Sequence, residues 1–139
     1  MDGQFIRLLL VHGAIVLFIG ILAGIPFWIT IITRRDQATI RSWRVAHSTL
    51  IADGLLLLVA GLLAPQLTLT GLLPTFLVWA LITSAYGFVF ALIFGACKGY
   101  RGLQPKPLGS NTIFFLGHVI GATGVVLGMS IVIYGLLRL

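Results

Sequence analysis

The sequence predicts an all-α protein, an integral membrane bundle of four helices. Hydrophobic residues make up 59% of the 139 residues and charged residues only 9%, which is more apolar surface than a water-soluble domain of this size can bury. Four apolar runs, at about residues 6–33, 45–64, 72–97 and 112–137, reach the roughly 20 residues that cross a bilayer core. So little chain remains between the runs that residues 1–139 are expected to form a single domain.

The basic residues are confined to helix ends and to two of the three connections between the runs. Those of the first connection are Arg34, Arg35, Arg41 and Arg44, and those of the third are Lys98, Arg101 and Lys106. The second connection, residues 65–71, carries no charge. The positive-inside rule therefore places the first and third connections in the cytoplasm and both termini outside. The same rule explains the net charge of +6 without a nucleic-acid partner, and we expect a multi-pass protein of the bacterial inner membrane, surrounded by membrane lipid.

Glycines spaced four residues apart indicate where helices approach one another. The pairs are Gly20/Gly24, Gly117/Gly121 and Gly124/Gly128. Small residues at this spacing let helix backbones pack closely in a membrane, where no hydrophobic force drives helices together. The pairs predict close contacts within one bundle, and contacts between copies in an oligomer are the alternative.

Asp53 is the only acidic residue inside any of the four apolar runs. A charged side chain at the centre of a bilayer costs roughly 3 kcal/mol on insertion scales, and such residues normally face a protein interior and carry a function. Six residues earlier, His47 follows the basic and aromatic pair Trp43-Arg44 at the start of the same run. This helix therefore combines a candidate ligand with a candidate catalytic acid.

Among the other polar residues within the runs, the further candidates for a site are Tyr86, His118 and His12. A rise of about 1.5 Å per residue predicts that Asp53, Tyr86 and His118 share a middle layer, with His47 nearer the cytoplasmic face and His12 close to the opposite surface. Each residue also has a purely structural interpretation, such as an interhelical hydrogen bond for His118 or a helix-end hydrogen bond for His12. The concentration of histidines, an acid and a tyrosine in so apolar a chain favours a functional site.

Histidines within a membrane favour a haem over a zinc ion in this sequence. Cys97 is the single cysteine, and neither an HExxH nor a CxxC pattern is present, so the usual zinc-binding patterns are missing. A haem has a flat apolar ring and needs only one or two histidine ligands.

Several segments resemble the styrene oxide isomerase family. They are Val-His-Gly-Ala-Ile at 11–15, Gly-Ile-Pro-Phe-Trp at 24–28, Ser-Trp-Arg-Val-Ala-His-Ser at 42–48, Tyr-Gly-Phe at 86–88 and Asn-Thr-Ile-Phe-Phe-Leu at 111–116. The resemblance implies a four-helix membrane enzyme, assembled as a homotrimer, that binds haem b between neighbouring protomers. It also implies that ferric iron acts as a Lewis acid on an epoxide oxygen, giving an aldehyde by a 1,2-shift without net redox change. His47 matches the family's axial ligand to the iron.

The sequence departs from the family at four positions. Asp53 replaces an asparagine, and Ala85 and Val89 replace the asparagine and tyrosine that orient the substrate. Tyr86 lies three residues before Val89, on nearly the same helix face, so it is the candidate substitute. His118 replaces an apolar residue of the family.

Three functions remain open at this point. In the first, His47 is the only protein ligand of haem iron, Tyr86 donates to the oxygen of an apolar aryl or alkyl epoxide, and Asp53 stabilises the carbocation-like carbon. In the second, His118 occupies the sixth position and the protein is a bis-histidine membrane cytochrome b for electron transfer or haem handling. The third is a membrane glutathione transferase. Thr49 and Ala52 argue against this function, because they occupy two key positions of that family's motif.

Overall fold

The structure, a computed structural model, describes residues 2–102, 104 and 109–138. These residues form six α-helices and no strand: α1 (Gly3–Leu22), α2 (Gly24–Ile32), α3 (Gln37–Leu63), α4 (Leu73–Val89), α5 (Gly95–Lys98) and α6 (Ser110–Leu136). A 3₁₀ turn, Ala64–Gln66, ends α3, and a π-helical turn, Phe90–Phe94, joins α4 to α5. Lys106, one of the basic residues of the third connection, lies outside the described residues.

The helices assemble into four membrane-length segments, as the sequence predicts. Within the described residues the segments are Gly3–Ile32, Gln37–Gln66, Leu73–Lys98 and Asn111–Leu136, each long and apolar enough to cross a membrane. The first consists of α1 and α2, which are separated only at Ala23. The all-α membrane bundle is therefore confirmed.

Two tightly packed helix pairs make up the bundle, α1 with α3 and α4 with α6, and glycines set the spacing in both. At Gly20 a Cβ atom would lie 2.7 Å from the backbone nitrogen of Ile51, and Gly54 meets the backbone of Leu17 just as closely. In α6, Gly117, Gly121, Gly124 and Gly128 all face α4 or the π-turn after it. The predicted packing of these glycines inside one bundle is confirmed.

Helix α3 begins eight residues before the apolar run that the sequence shows at residue 45. Its N-cap is Asp36, whose carboxylate accepts hydrogen bonds from the backbone nitrogen of Thr39 at 2.9 Å and from its hydroxyl at 2.6 Å. A side-chain acceptor at this position satisfies an orphan N–H group of the first turn. These hydrogen bonds to Thr39 lower the pKa of Asp36. The early start places Trp43, Arg44 and His47 on one continuous helix.

The centre of the bundle is apolar and well packed. Leu9, Leu50, Leu57, Leu77 and Leu81 are completely buried there. Large side chains such as those of Phe18, Trp28, Phe76 and Trp79 are more than half exposed on the outside. Such an outer surface suits contact with lipid tails or with other membrane helices.

Candidate functional site

His47 lies between α3 and the junction of α1 with α2. Its Nδ1 donates a hydrogen bond of 2.8 Å to the carbonyl oxygen of Gly20, because a carbonyl can only accept. In a neutral imidazole this hydrogen bond leaves the lone pair on Nε2. No described residue donates a hydrogen bond to Nε2. The half-buried ring thus presents one nitrogen without a partner, while its other nitrogen is held by a backbone carbonyl, as is usual for metal-binding histidines.

The surroundings of His47 give the imidazole a fixed orientation. A Cβ atom at Gly24 would lie 3.0 Å from Cε1 of His47, so the ring occupies the space that any larger residue would fill. The ring of Phe27 stacks on the imidazole with the centroids 6.1 Å apart and the planes at 29°. The guanidinium of Arg44 lies over the ring of Phe27, 5.8 Å from its centroid. The motif 24–28 and the motif 42–48 therefore meet at His47.

Tyr86 and His12 form a pair between α4 and α1. The Tyr86 hydroxyl lies 2.9 Å from Nδ1 of His12, and the two rings meet edge to face at 84° with their centroids 5.6 Å apart. Both side chains are half-buried. The prediction that His12 lies near the outer surface, away from the middle layer, is wrong. Because α1 begins at Gly3, nine residues of helix precede His12 and bring it to the level of Tyr86.

The ring of Tyr86 lines an apolar groove between α4 and α6. The groove holds about 510 Å³, and its lining includes Ile82, Thr83, Tyr86, Gly87, Gly117 and Ile120. Besides the tyrosine, Thr83 is the only side chain in its lining with a polar atom. The groove is suited to an apolar molecule that approaches from the membrane.

Asp53 is an enclosed acid without a partner. Its residue is 8% exposed, and its Oδ2 is buried with no hydrogen-bond partner among the described residues. No described residue forms an ion pair or a hydrogen bond with its other carboxylate oxygen either. A buried carboxyl left without a partner is costly, which is a property of functional rather than purely structural groups.

His118 lies at a different place from His47. Its Nε2 donates a hydrogen bond of 3.2 Å to the carbonyl oxygen of Arg101 in the third connection, and it lines a cavity with Arg41, Val45 and Tyr100 that does not include His47. His118 therefore contacts a loop residue through its Nε2. Its predicted role as a cofactor ligand stays a prediction, and the structure does not bring the two histidines to one cavity.

The residues present fit a haem held by one histidine. His47 donates a hydrogen bond from Nδ1 to Gly20, and its Nε2 has no hydrogen-bond partner among the described residues. A closed zinc site is not formed, since no group of three His, Cys, Asp or Glu side chains occurs among residues 2–102, 104 and 109–138. One free imidazole nitrogen is sufficient for a haem with one protein ligand.

His12 is the site residue that sequence reasoning missed. The sequence places it in the segment 11–15 that carries the family resemblance, but Tyr86 is 74 residues away. A histidine beside a glycine in an apolar helix was the available signal, and it did not reveal the partner.

Comparison with known proteins agrees with the motifs described above. The family model of styrene oxide isomerase matches residues 5–137, nearly the whole chain. No curated protein and no solved structure gives a significant match. Membership of this family indicates a membrane-embedded epoxide isomerase. The chain belongs to the styrene oxide isomerase family.

Proposed function

We propose that the protein is a haem b-dependent isomerase that converts an apolar aryl or alkyl epoxide into an aldehyde or ketone. The observation that carries the proposal is the free Nε2 of His47, in a chain whose family is defined by epoxide isomerisation. His47 would hold the haem iron through this nitrogen, with Gly20 and Phe27 maintaining the orientation of the ring. Ferric haem supplies a Lewis acid for the epoxide oxygen.

The reaction is an internal rearrangement, so the chain must position one substrate and exclude water. The C–O bond at the more substituted carbon breaks, a hydride or carbon group moves with its electron pair from the neighbouring carbon, and the oxygen forms a C=O bond. Atoms and electrons balance without a second reactant. Water would capture the carbocation-like carbon as a diol, so an apolar lining such as that of the groove beside Tyr86 would favour the rearrangement.

Tyr86 is the proposed hydrogen-bond donor to the substrate oxygen, and His12 is the residue that positions it. If the neutral His12 carries its proton on Nδ1, it donates to the tyrosine oxygen at 2.9 Å. The Tyr86 O–H is then free to donate elsewhere. In the opposite tautomer, with the proton on Nε2, the Tyr86 hydroxyl would donate its proton to Nδ1 of His12 and would not be free for the substrate. We therefore propose the Nδ1–H tautomer of His12 for the active enzyme.

Asp53 is the proposed group that stabilises positive charge on the substrate carbon. Its carboxyl has no described partner to satisfy, so it retains its hydrogen-bonding capacity for a ligand. The family's asparagine at this position would supply hydrogen bonds of similar shape without the charge. Asp53 and the family's asparagine would therefore occupy the same position in the site and differ in the charge that they can contribute.

We also propose a homotrimer, in which a neighbouring copy covers the outer side of His47. The support is the family resemblance together with the exposed apolar side chains around the motif 24–28, including Ile25 and Trp28, which are 54% and 62% exposed. The bis-histidine cytochrome is not favoured, because His118 uses its Nε2 on the carbonyl of Arg101.

The proposal is tested on purified protein from haem-replete cells by absorption spectroscopy and by product analysis with styrene oxide. We expect a Soret band, a high-spin ferric spectrum, and conversion of the epoxide to phenylacetaldehyde without diol. Reduction with dithionite should slow the conversion, because ferrous iron is the weaker Lewis acid. Colourless protein without haem would refute the cofactor, and haem-loaded protein that leaves a range of aryl and alkyl epoxides unchanged would refute the activity.

A further inference from the structure

A second cavity lies at the membrane face that carries the first and third connections. It holds about 200 Å³, and its lining includes Arg41, Ser42, Ala91, Tyr100, Arg101 and His118. Arg41 and Ser42 belong to the first turns of α3, about 6–8 Å from its start at Gln37. The cavity therefore lies at the level where lipid headgroups meet the hydrocarbon core.

The charge of this cavity is positive and uncompensated. Its lining contains two arginines and no acidic residue, and neither Arg41 nor Arg101 forms an ion pair with a described residue. The nearest acid in sequence, Asp36, has its carboxylate engaged by Thr39. Arg44 differs from Arg41, because its guanidinium lies over the ring of Phe27.

The backbone that carries Arg101 is held firmly in place. The backbone nitrogen of Tyr100 donates a hydrogen bond of 2.9 Å to the carbonyl oxygen of Gly95. His118 donates a hydrogen bond to the carbonyl oxygen of Arg101 itself. The backbone nitrogen of the next residue, Gly102, donates a hydrogen bond of 3.0 Å to the side-chain oxygen of Asn111. The φ angle of Gly102 is +60°, a backbone conformation that favours glycine. Arg101 is thus presented from a preorganised loop, which reduces the entropy lost when a ligand binds.

The opposite wall of the cavity is made small and apolar by the π-turn. Ala91 and Leu92 belong to the turn Phe90–Phe94, and Ala96 follows in α5. A π-turn inserts one residue into a helix, and such turns often occur at functional sites. With Val45 on α3, these apolar residues line the same cavity as the two arginines. The cavity is therefore lined both by apolar side chains and by residues that can carry positive charge.

We propose that this cavity binds the phosphate of an anionic membrane phospholipid. Guanidinium groups recognise phosphate oxygens through paired, charge-assisted hydrogen bonds, and basic pockets between membrane helices accept anionic headgroups. Tyr100 also lines the cavity, and its ring stacks on Phe114 with the centroids 5.7 Å apart. His47 does not line this cavity.

The experiment measures lipid binding to the full-length protein by native mass spectrometry after delipidation in a neutral detergent. Phosphatidylglycerol, phosphatidylcholine and inorganic phosphate are titrated separately at raised salt, which screens attraction between exposed charges. We expect phosphatidylglycerol to bind at a single saturable site more tightly than phosphatidylcholine, whose quaternary ammonium offsets its phosphate. Equal binding of the two lipids, or binding of inorganic phosphate with no binding of phosphatidylglycerol, would overturn the proposal.

Variants locate the site. Arg41→Gln and Arg101→Gln should each weaken phosphatidylglycerol binding by at least about tenfold, because each removes a hydrogen bond to a charged group. Arg35→Gln is the matched control, since Arg35 lies in the same basic connection but does not line the cavity, and its effect should stay below about twofold. Arg41→Lys keeps the positive charge but loses the paired hydrogen bonds of the guanidinium group. It should also weaken phosphatidylglycerol binding, and it replaces the glutamine variant if that variant fails to fold. An equal loss in the Arg35 and Arg41 variants would show general surface attraction and refute the site.

Discussion

The two histidines predicted as cofactor ligands use opposite nitrogens, and this difference separates their roles. His47 is bound to a backbone carbonyl through Nδ1 and keeps Nε2, the nitrogen at the tip of the ring, without a partner. His118 is bound to a carbonyl through Nε2 and therefore uses its tip to hold the loop at Arg101. The two residues look equivalent in sequence, since each is an imidazole near the start of an apolar helix. The backbone around each one decides which is available to a ligand.

The helices that carry them also differ at their starts. Helix α3 follows Asp36, whose side chain caps it, whereas α6 follows Gly109, which has no side chain to form a cap. His47 has aromatic and glycine neighbours, and His118 has arginines in its cavity. The His47 region therefore holds an imidazole in place and leaves one of its nitrogens free, whereas His118 holds a loop residue beside a cavity lined by two arginines.

Removal of each histidine should give the largest contrast. His47→Ala should lower haem affinity by more than about a hundredfold, since loss of even an outer-shell partner costs ten- to a hundredfold. His118→Ala and His12→Ala should retain haem, measured by the Soret absorbance per protein. A low-spin spectrum of the parent that becomes high-spin in His118→Ala would reverse the comparison and favour the cytochrome.

Asp53 tests whether chemistry depends on a group beyond the two histidines. Asp53→Leu should assemble and bind haem but lose about a hundredfold in turnover, the scale expected when an electrostatic contact to the transition state is removed. Asp53→Asn restores the family's residue and should be tolerated. Full activity of Asp53→Leu, with haem content verified, would remove this acid from the site.

The third histidine, His12, is expected to act through Tyr86. Tyr86→Phe should lower kcat by about tenfold to a hundredfold, and His12→Ala by about tenfold, the value of one hydrogen bond to a reacting group. KM should change little in both, because the hydrogen bond matters most in the transition state. Thr83→Val, in the same groove but without a hydrogen bond to His12, is the control. Unchanged kcat in His12→Ala would mean that the pair only packs.

Gly24 sharpens the account of why His47 is oriented. A Cβ atom there would lie 3.0 Å from Cε1 and 3.1 Å from Nδ1 of His47, so Gly24→Ala should displace the ring and weaken haem binding by about fivefold to tenfold. Gly61→Ala on α3 is the matched control, because its Cβ would meet Leu10 and Leu9 at similar distances and does not contact His47. Equal haem affinity in both variants would show that the clearance at Gly24 is not needed.

The smallest effect is expected at the cap of α3. The hydrogen bonds from Thr39 lower the pKa of Asp36, so its stabilising contribution is present above the unfolded-state pKa and is lost as pH falls through the folded-state value. Asp36→Ala should lower Tm slightly at neutral pH and not at strongly acidic pH. A Tm difference that is equal at both pH values would contradict the assignment of the cap.

Much of the fold was predictable because its determinants are local. The four spans depend on the number of consecutive apolar residues, and the structure places them within a few residues of the predicted limits, except at the start of α3. There the cap at Asp36 extends the helix into a polar stretch that hydropathy does not mark. The packing roles of Gly117 and Gly121 followed from a spacing that is visible in the sequence.

The candidate site was predictable only in part. His47 and Asp53 stand out because a polar residue in an apolar run is a local anomaly. The contact between His12 and Tyr86 joins residues 74 positions apart, and their depth depends on where α1 begins. Nothing in the local pattern around either residue specifies the other.

The sequence by itself determined the membrane class, the number of spans, the glycine seams and the residue types available for chemistry, because these follow from composition and from the spacing of residues along single helices. Only the tertiary structure decided which nitrogen of His47 stays free, that His118 holds the loop at Arg101, and that Arg41 and Arg101 share a cavity. The physical reason is that hydrogen bonds and cavities depend on distances between helices. Those distances are set when whole helix faces pack, and not by the order of residues near any one side chain.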